Sequence, residues 1–186
     1  MAVMQQQLTL EEFLKLPEEK PALEFEEGRI TQKVSPKARH SSIQGDLVQL
    51  FNRSLRSRRL ARAFPELRAT FGGRSYVPDV SVIRWDRLPR APDGTIADDF
   101  VAPPDIAVEI VSPEQGVNTL VRRCIWYVEN GVRAALLVDP QDRSIVVFRP
   151  GAPPLPFSEA GEIDLSDVLP DLRLSVEEVF SALRVD

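Results

Sequence analysis

The run PPDIAVEIVSP, residues 103–113, contains Ile106 to Val111, where Glu109 interrupts five apolar residues. Its β-branched residues and its length, too short for a stable helix, predict a buried strand over Ile106 to Val111. A carboxylate inside such a strand is costly unless something positive compensates it, because burial disfavours the charged form. Two compensations are open at this point: an ion pair with a buried arginine, or a bound metal ion. A second acid stands in a similar setting. Asp79 opens the apolar segment VPDVSVI, residues 77–83, either as part of a strand-entry turn after Pro78 or as another inward carboxylate. Two carboxylates on neighbouring strands would make an oxygen-rich site suited to Mg2+ or Mn2+.

The flanking segments supply the rest of a layered fold. Thr9 with Glu12 is a capping box opening a brief helix. Leu23 to Glu26 and Arg29 to Val34 read as two strands around Glu27-Gly28. Ile43, Leu47, Leu50, Phe51 and Leu55 recur with helical period, predicting a helix from His40 to Arg58. Phe64 to Phe71 and Tyr76 to Trp85 read as two strands around Gly72-Gly73. Residues 86–104, with Pro89, Pro92, Pro103 and Pro104, form a long loop. A helix over Val117 to Asn130 ends at Gly131, and strands follow over Val132 to Val138 and Ile145 to Phe148. Residues 150–156 read as a loop, and Ser175 with Glu178 caps a last helix. The order predicts a mixed α/β or α+β fold, a central sheet flanked by helices, in one domain over residues 1–186.

Composition narrows the function. The 186 residues are 43% hydrophobic and 27% charged, enough for one sizeable core and unlike a disordered chain. No apolar run exceeds the five residues of Ala134 to Val138, far short of a membrane span. No basic residue precedes Lys15, which argues against an export leader and for a cytoplasmic protein. The single cysteine, Cys124, excludes an internal disulfide and a multi-cysteine zinc site, and it lies on the apolar stripe of its helix with Val117, Val121 and Val128. No nucleotide-binding glycine motif, GxSxG or HExxH is present. The net charge is −5, yet Arg53, Arg56, Arg58, Arg59, Arg62 and Arg68 oppose only Glu66 between residues 53 and 68. That segment is therefore +5 and the remainder −10. It is either a solvated helix face or a phosphate-contacting stripe.

Pro78-Asp79 together with a strand glutamate resembles the PD-(D/E)xK nuclease superfamily. The ordered set TLEEFLKLPE, PPDIAVEIVSP, a following helix with Tyr127, Gly131-Val132 and LLVDP ending at Pro140 resembles the Uma-type restriction endonuclease-like family more narrowly, over about Leu8 to Phe180. The resemblance implies a restriction endonuclease-like core with Asp79, Glu109 and the main-chain carbonyl of Ile110 as metal ligands. It also implies roles for Glu24 in the N-terminal hairpin and for His40 at the start of the next helix. The superfamily lysine is missing: the position two beyond Glu109 is Val111. In the family that charge is commonly supplied from the next helix, which here points to Arg123. Helical spacing sets Arg123 beside Leu120 and Tyr127, with Arg122 on the opposite side. An arginine can neutralise charge but cannot act as a general base.

The leading expectation is a metal-dependent endonuclease hydrolysing DNA, with Mg2+ or Mn2+ at Asp79 and Glu109, Glu24 and His40 in support, Arg123 stabilising developing charge, and Arg53, Arg56, Arg58, Arg59 and Arg62 holding the DNA backbone. The alternative is a catalytically inactive nuclease-fold protein that binds nucleic acid or a protein partner. A third reading makes Glu109 and an arginine a buried structural pair, with residues 86–104 as an interaction surface. The resemblance also implies a homodimer.

Overall fold

The computed structural model describes residues 8–113 and 115–185; part of the segment read for an export leader, residues 1–7, lies outside them. In chain order the elements are α1 (Leu10–Phe13), β1 (Leu23–Glu26), β2 (Arg29–Gln32), α2 (Ala38–Leu55), β3 (Ala61–Pro65), β4 (Ala69–Phe71), β5 (Arg74–Tyr76) and β6 (Val80–Arg84). They continue with β7 (Ile106–Ile110), α3 (Val117–Glu129), β8 (Ala134–Asp139), β9 (Ser144–Phe148), β10 (Leu155–Ser158), β11 (Glu162–Asp164), β12 (Arg173–Ser175) and α4 (Val176–Ser181).

Strands β10-β9-β8-β7-β6-β3 form the main sheet, in that order, and β2-β1-β5-β4 form a smaller one. Only β7 and β8 run parallel in the main sheet, joined by the crossover helix α3. Side chains alternate across it. Val80, Val82, Val108, Ile110, Leu136 and Val138 pack on the face covered by α2 and α4. Ile83, Ala107, Ala135 and Leu137 pack on the other, with Phe71, Tyr76 and Tyr127. Glu109 shares the parity of Ala107 and so belongs to the α3 face. The expected mixed sheet flanked by helices is the architecture found. Among the described residues no helix is long and apolar enough to cross a membrane.

One segment differs in a way that makes the site. Two strands, Phe64 to Phe71 and Tyr76 to Trp85, are expected here, whereas residues 61–84 form four. Strands β3 and β6 pair in the main sheet from Ala61 opposite Arg84 to Pro65 opposite Val80, while β4 and β5 leave it for the smaller sheet. Pro65 and Pro78 lack the N–H a ladder needs, and Glu66 takes a positive φ of 46°. The chain forks there, and Asp79 lies at the fork, its carbonyl accepting from the Glu66 N–H at 3.2 Å. Helix α2 ends at Leu55, short of the expected Arg58, and Arg59 turns the chain with φ 51°. Part of the expected 150–156 loop is edge strand β10, whose pairing with β9 no periodicity announced.

Candidate functional site

The register of β6 and β7 pairs Val80 with Val108. One step further along that antiparallel pair, Asp79 stands opposite Glu109. The Ile110 N–H reaches the Asp79 carboxylate at 2.7 Å, and the Asp79 charge acts on the Glu109 carboxyl. Both are buried, at 3% and 1% exposure, so two distant carboxylates share one sheet end.

Asp79 is held from three directions. Its Oδ1 accepts from Lys33 Nζ at 2.7 Å, and its Oδ2 accepts from the Ile110 N–H at 2.7 Å and His40 Nε2 at 3.1 Å. Gln44 Nε2 donates to its main-chain carbonyl at 2.8 Å. Burial alone would raise this carboxyl, but the His40 hydrogen bond and the Lys33 charge outweigh it and bring it down to about 2.

Glu109 is treated differently. Its Oε1 accepts from Tyr127 Oη at 2.7 Å, while Arg123 Nη1 is 3.6 Å away, beyond hydrogen-bonding range. Burial pushes its carboxyl up to about 7; Arg123 and Lys33 pull it down, and the charges of Asp79 and Glu24 push it further up. The same burial raises the Tyr127 hydroxyl and the Cys124 thiol.

The arginine belongs to another acid. Arg123 Nη2 and Nη1 lie 2.7 and 3.1 Å from Glu24 Oε2 and Oε1, the bidentate geometry of a strong charged pair. Glu24 Oε1 also accepts from the Val77 N–H at 2.9 Å, and the guanidinium stacks over Tyr76 at 4.5 Å. Glu24 thus ties the N-terminal hairpin to α3 and to the fork before Asp79.

Asp79, Glu109, Glu24, His40, Arg123 and the Ile110 main chain, all singled out in the sequence, converge here. Lys33, Tyr127 and Gln44 join them without having been assigned a role. The lysine missing beside Glu109 therefore has a counterpart from the hairpin, 46 residues before Asp79. Burial works against the Lys33 charge, but Asp79, Glu109 and Glu24 raise its pKa. Their charges favour its ammonium form in the metal-free protein.

Comparison with known proteins now decides the family. The family described as "Uma2: Putative restriction endonuclease" matches residues 10–177. The chain belongs to the Uma2 family. A solved structure described as a putative nuclease belonging to DUF820, from Anabaena variabilis ATCC 29413, is similar to it with a TM-score of 0.91 and 40% identity, over 95% of this chain and 99% of that one. No curated protein matches.

The residues of this Uma2 protein fit a hard divalent ion by donor chemistry. Asp79 accepts three hydrogen bonds of the roughly four its oxygens can take, and the Glu109 carboxylate accepts one from Tyr127. Among the described residues no group of three or more His, Cys, Asp or Glu is disposed to hold a metal. Two carboxylates completed by main-chain and water oxygens is a mode Mg2+ commonly uses. Asp79, Glu109 and the Ile110 carbonyl would supply the protein's share.

The arginine stripe is not brought to these carboxylates. Arg53 lies 13 residues beyond His40 on α2 (53 − 40), about 20 Å along the helix axis. It pairs with Glu178 of α4, and Arg58 pairs with Asp171 at 2.8 Å. Arg56 follows the last turn of α2, Arg59 stands over Trp85 at 6.0 Å, and Arg62 over Phe64 at 5.0 Å. Nearer the site in this Uma2 protein, Lys37 and Arg39 line a cleft of 450 Å3 with His40, Ser112, Gln115 and Asp139.

Proposed function

We propose that this protein is a metal-dependent nuclease that hydrolyses DNA phosphodiester bonds at the Asp79–Glu109 pair. Membership of a family described as restriction endonucleases and likeness to a nuclease structure support this reading. The single observation that carries it is Glu109: fully buried, near Asp79, and, among the described residues, with no cation hydrogen-bonded to it, since Arg123 gives its hydrogen bonds to Glu24 and stands 3.6 Å off. A divalent ion at the pair would polarise the scissile phosphate and lower the pKa of a bound water. Tyr127 and the Ile110 N–H hold the two carboxylates in place, and His40 orients Asp79 from the cleft side. Lys33 supplies positive charge on Asp79 in the metal-free protein. The cleft carrying Lys37 and Arg39 is the route for the DNA backbone.

Purified protein, Asp79→Asn and Glu109→Gln are incubated with supercoiled plasmid and Mn2+. Nicking by the wild type and its loss in both folded variants is the expected result; full activity in both variants overturns the proposal. One observation favours the alternative of an inactive nuclease fold: protein donors already sit on both oxygens of Asp79. Calorimetric titration with Mg2+ and Mn2+ separates the two, since only the nuclease reading requires binding that Asp79→Asn removes.

A further inference from the structure

Of the four lysines, Lys15, Lys20 and Lys37 are exposed, while the Lys33 side chain is 7% exposed. Lys33 follows β2 directly, and its N–H donates to the Ala22 carbonyl at 2.9 Å, so the side chain leaves from backbone that the hairpin fixes. Its Nζ donates to Asp79 Oδ1 and to the Val77 carbonyl, both at 2.7 Å. The ammonium therefore sits on one of the two oxygens through which Asp79 would hold a divalent ion. Two cations cannot share that oxygen without strong repulsion.

The surroundings give the ammonium somewhere else to go. A groove of 630 Å3 runs along Lys33, bordered by Lys20, Ser35, Glu66, Arg68 and Val77. Rotation about the four-carbon stem takes Nζ from Asp79 toward this groove, where water and the exposed Glu66 carboxylate can accept its hydrogen bonds. His40 and the Ile110 N–H remain on Asp79 Oδ2 throughout, so the carboxylate keeps its orientation when the lysine leaves.

We propose that Lys33 is a tethered stand-in for the metal ion: it holds Asp79 in the metal-free protein and withdraws into the neighbouring groove when a divalent ion binds. This rests on the metal-dependent reading above. A purely structural ion pair would keep Lys33 in place whatever the site contains, so its reactivity would not respond to the ion, although loss of its charge alone would also favour a cation at Asp79. A stand-in makes the lysine and the ion compete, so removing one strengthens the other.

Two measurements test this without reference to cleavage. The first labels the wild-type protein with an amine-reactive reagent and quantifies each lysine by mass spectrometry, with Lys15 and Lys20 as internal controls. Lys33 is expected to react slowly in chelator and about fivefold or more faster with saturating Mn2+ or Ca2+, the low end of coupling between ligands competing at one site. The second compares Mn2+ binding to the wild type and Lys33→Met by calorimetry; the variant is expected to bind about fivefold or more tightly. Mn2+ binding to the wild type with unchanged Lys33 reactivity overturns the inference alone, even if the variant is unstable, and so does a folded Lys33→Met that binds no more tightly. Failure of both proteins to bind any divalent ion overturns the metal-dependent reading and this inference with it.

Discussion

Arg123 gives both terminal nitrogens to Glu24, at 2.7 and 3.1 Å, and stands 3.6 Å from Glu109. The cation that helical spacing pointed at the carboxylate pair is thus a fastener between α3 and the first hairpin. Removing one member of a buried pair leaves the other charge uncompensated, at about 3–5 kcal/mol. Arg123→Met is expected to lose stability in that range, and adding Glu24→Leu to recover a large part. Urea denaturation of the two single variants and the double checks this; strictly additive losses would show that the two residues do not act as a pair.

Glu109 gives the metal-free protein a pH dependence. Its folded-state pKa is raised from 4.5 to about 7 by burial, so between those values the folded protein holds a proton that the unfolded chain has released. Stability in chelator should then fall as pH rises from about 4.5 through about 7. Asp79, lowered from 3.8 to about 2 by His40 and Lys33 against its burial, acts in the opposite sense and only below that window. Thermal unfolding in EDTA at pH 5 and pH 7 should show the loss in the wild type and a reduced loss in Glu109→Gln. Equal slopes in the two proteins would contradict the assignment.

Among the described residues, Tyr127 makes the one hydrogen bond that Glu109 Oε1 receives, at 2.7 Å. Tyr127→Phe keeps the ring that packs against Phe71 and Tyr76 and deletes only that bond. The expected cost is about 1–2 kcal/mol, with the Glu109 carboxyl titrating higher than in the wild type because burial then acts with one fewer donor to the ionised form. Carboxyl-carbon NMR titration reads this directly. A downward movement would mean that the hydroxyl had been favouring the protonated acid.

How much of this could be read from residues alone depended on how local the signal was. Glu109 is legible because an acid interrupting an apolar strand is anomalous within eleven residues, and Asp79 because Pro78 marks a strand entry. The inward direction of Arg123 follows from helical geometry, but its partner does not, since the choice between Glu24 and Glu109 is made by how the hairpin folds back over α3. Lys33 gave no signal. It lies beside a strand whose residues are all exposed, and its role depends on an acid 46 positions later. Gly72-Gly73 announced a turn but not that β4 and β5 would leave the main sheet, which the ladder-breaking prolines on either side bring about.

The DNA path offers the last test, because two cationic surfaces compete for it. Arg53 and Arg58 are exposed but engaged by Glu178 and Asp171, and they lie toward the end of α2 remote from His40. Arg39 is exposed at the first turn of the same helix and lines the cleft beside His40. A phosphate contact contributes about one unit to the salt dependence of binding, and its loss weakens all sequences alike. Using Asp79→Asn as the parent to prevent cleavage, Arg39→Glu should lower duplex affinity about tenfold at low salt and flatten the salt dependence by about one to two units. Arg53→Ala with Arg58→Ala should leave both within about twofold, because surface pairs of this kind contribute little. Fluorescence anisotropy with a labelled duplex over a salt series decides between them: loss of binding in the double variant with none in Arg39→Glu would move the DNA to the arginine-rich end and away from the cleft.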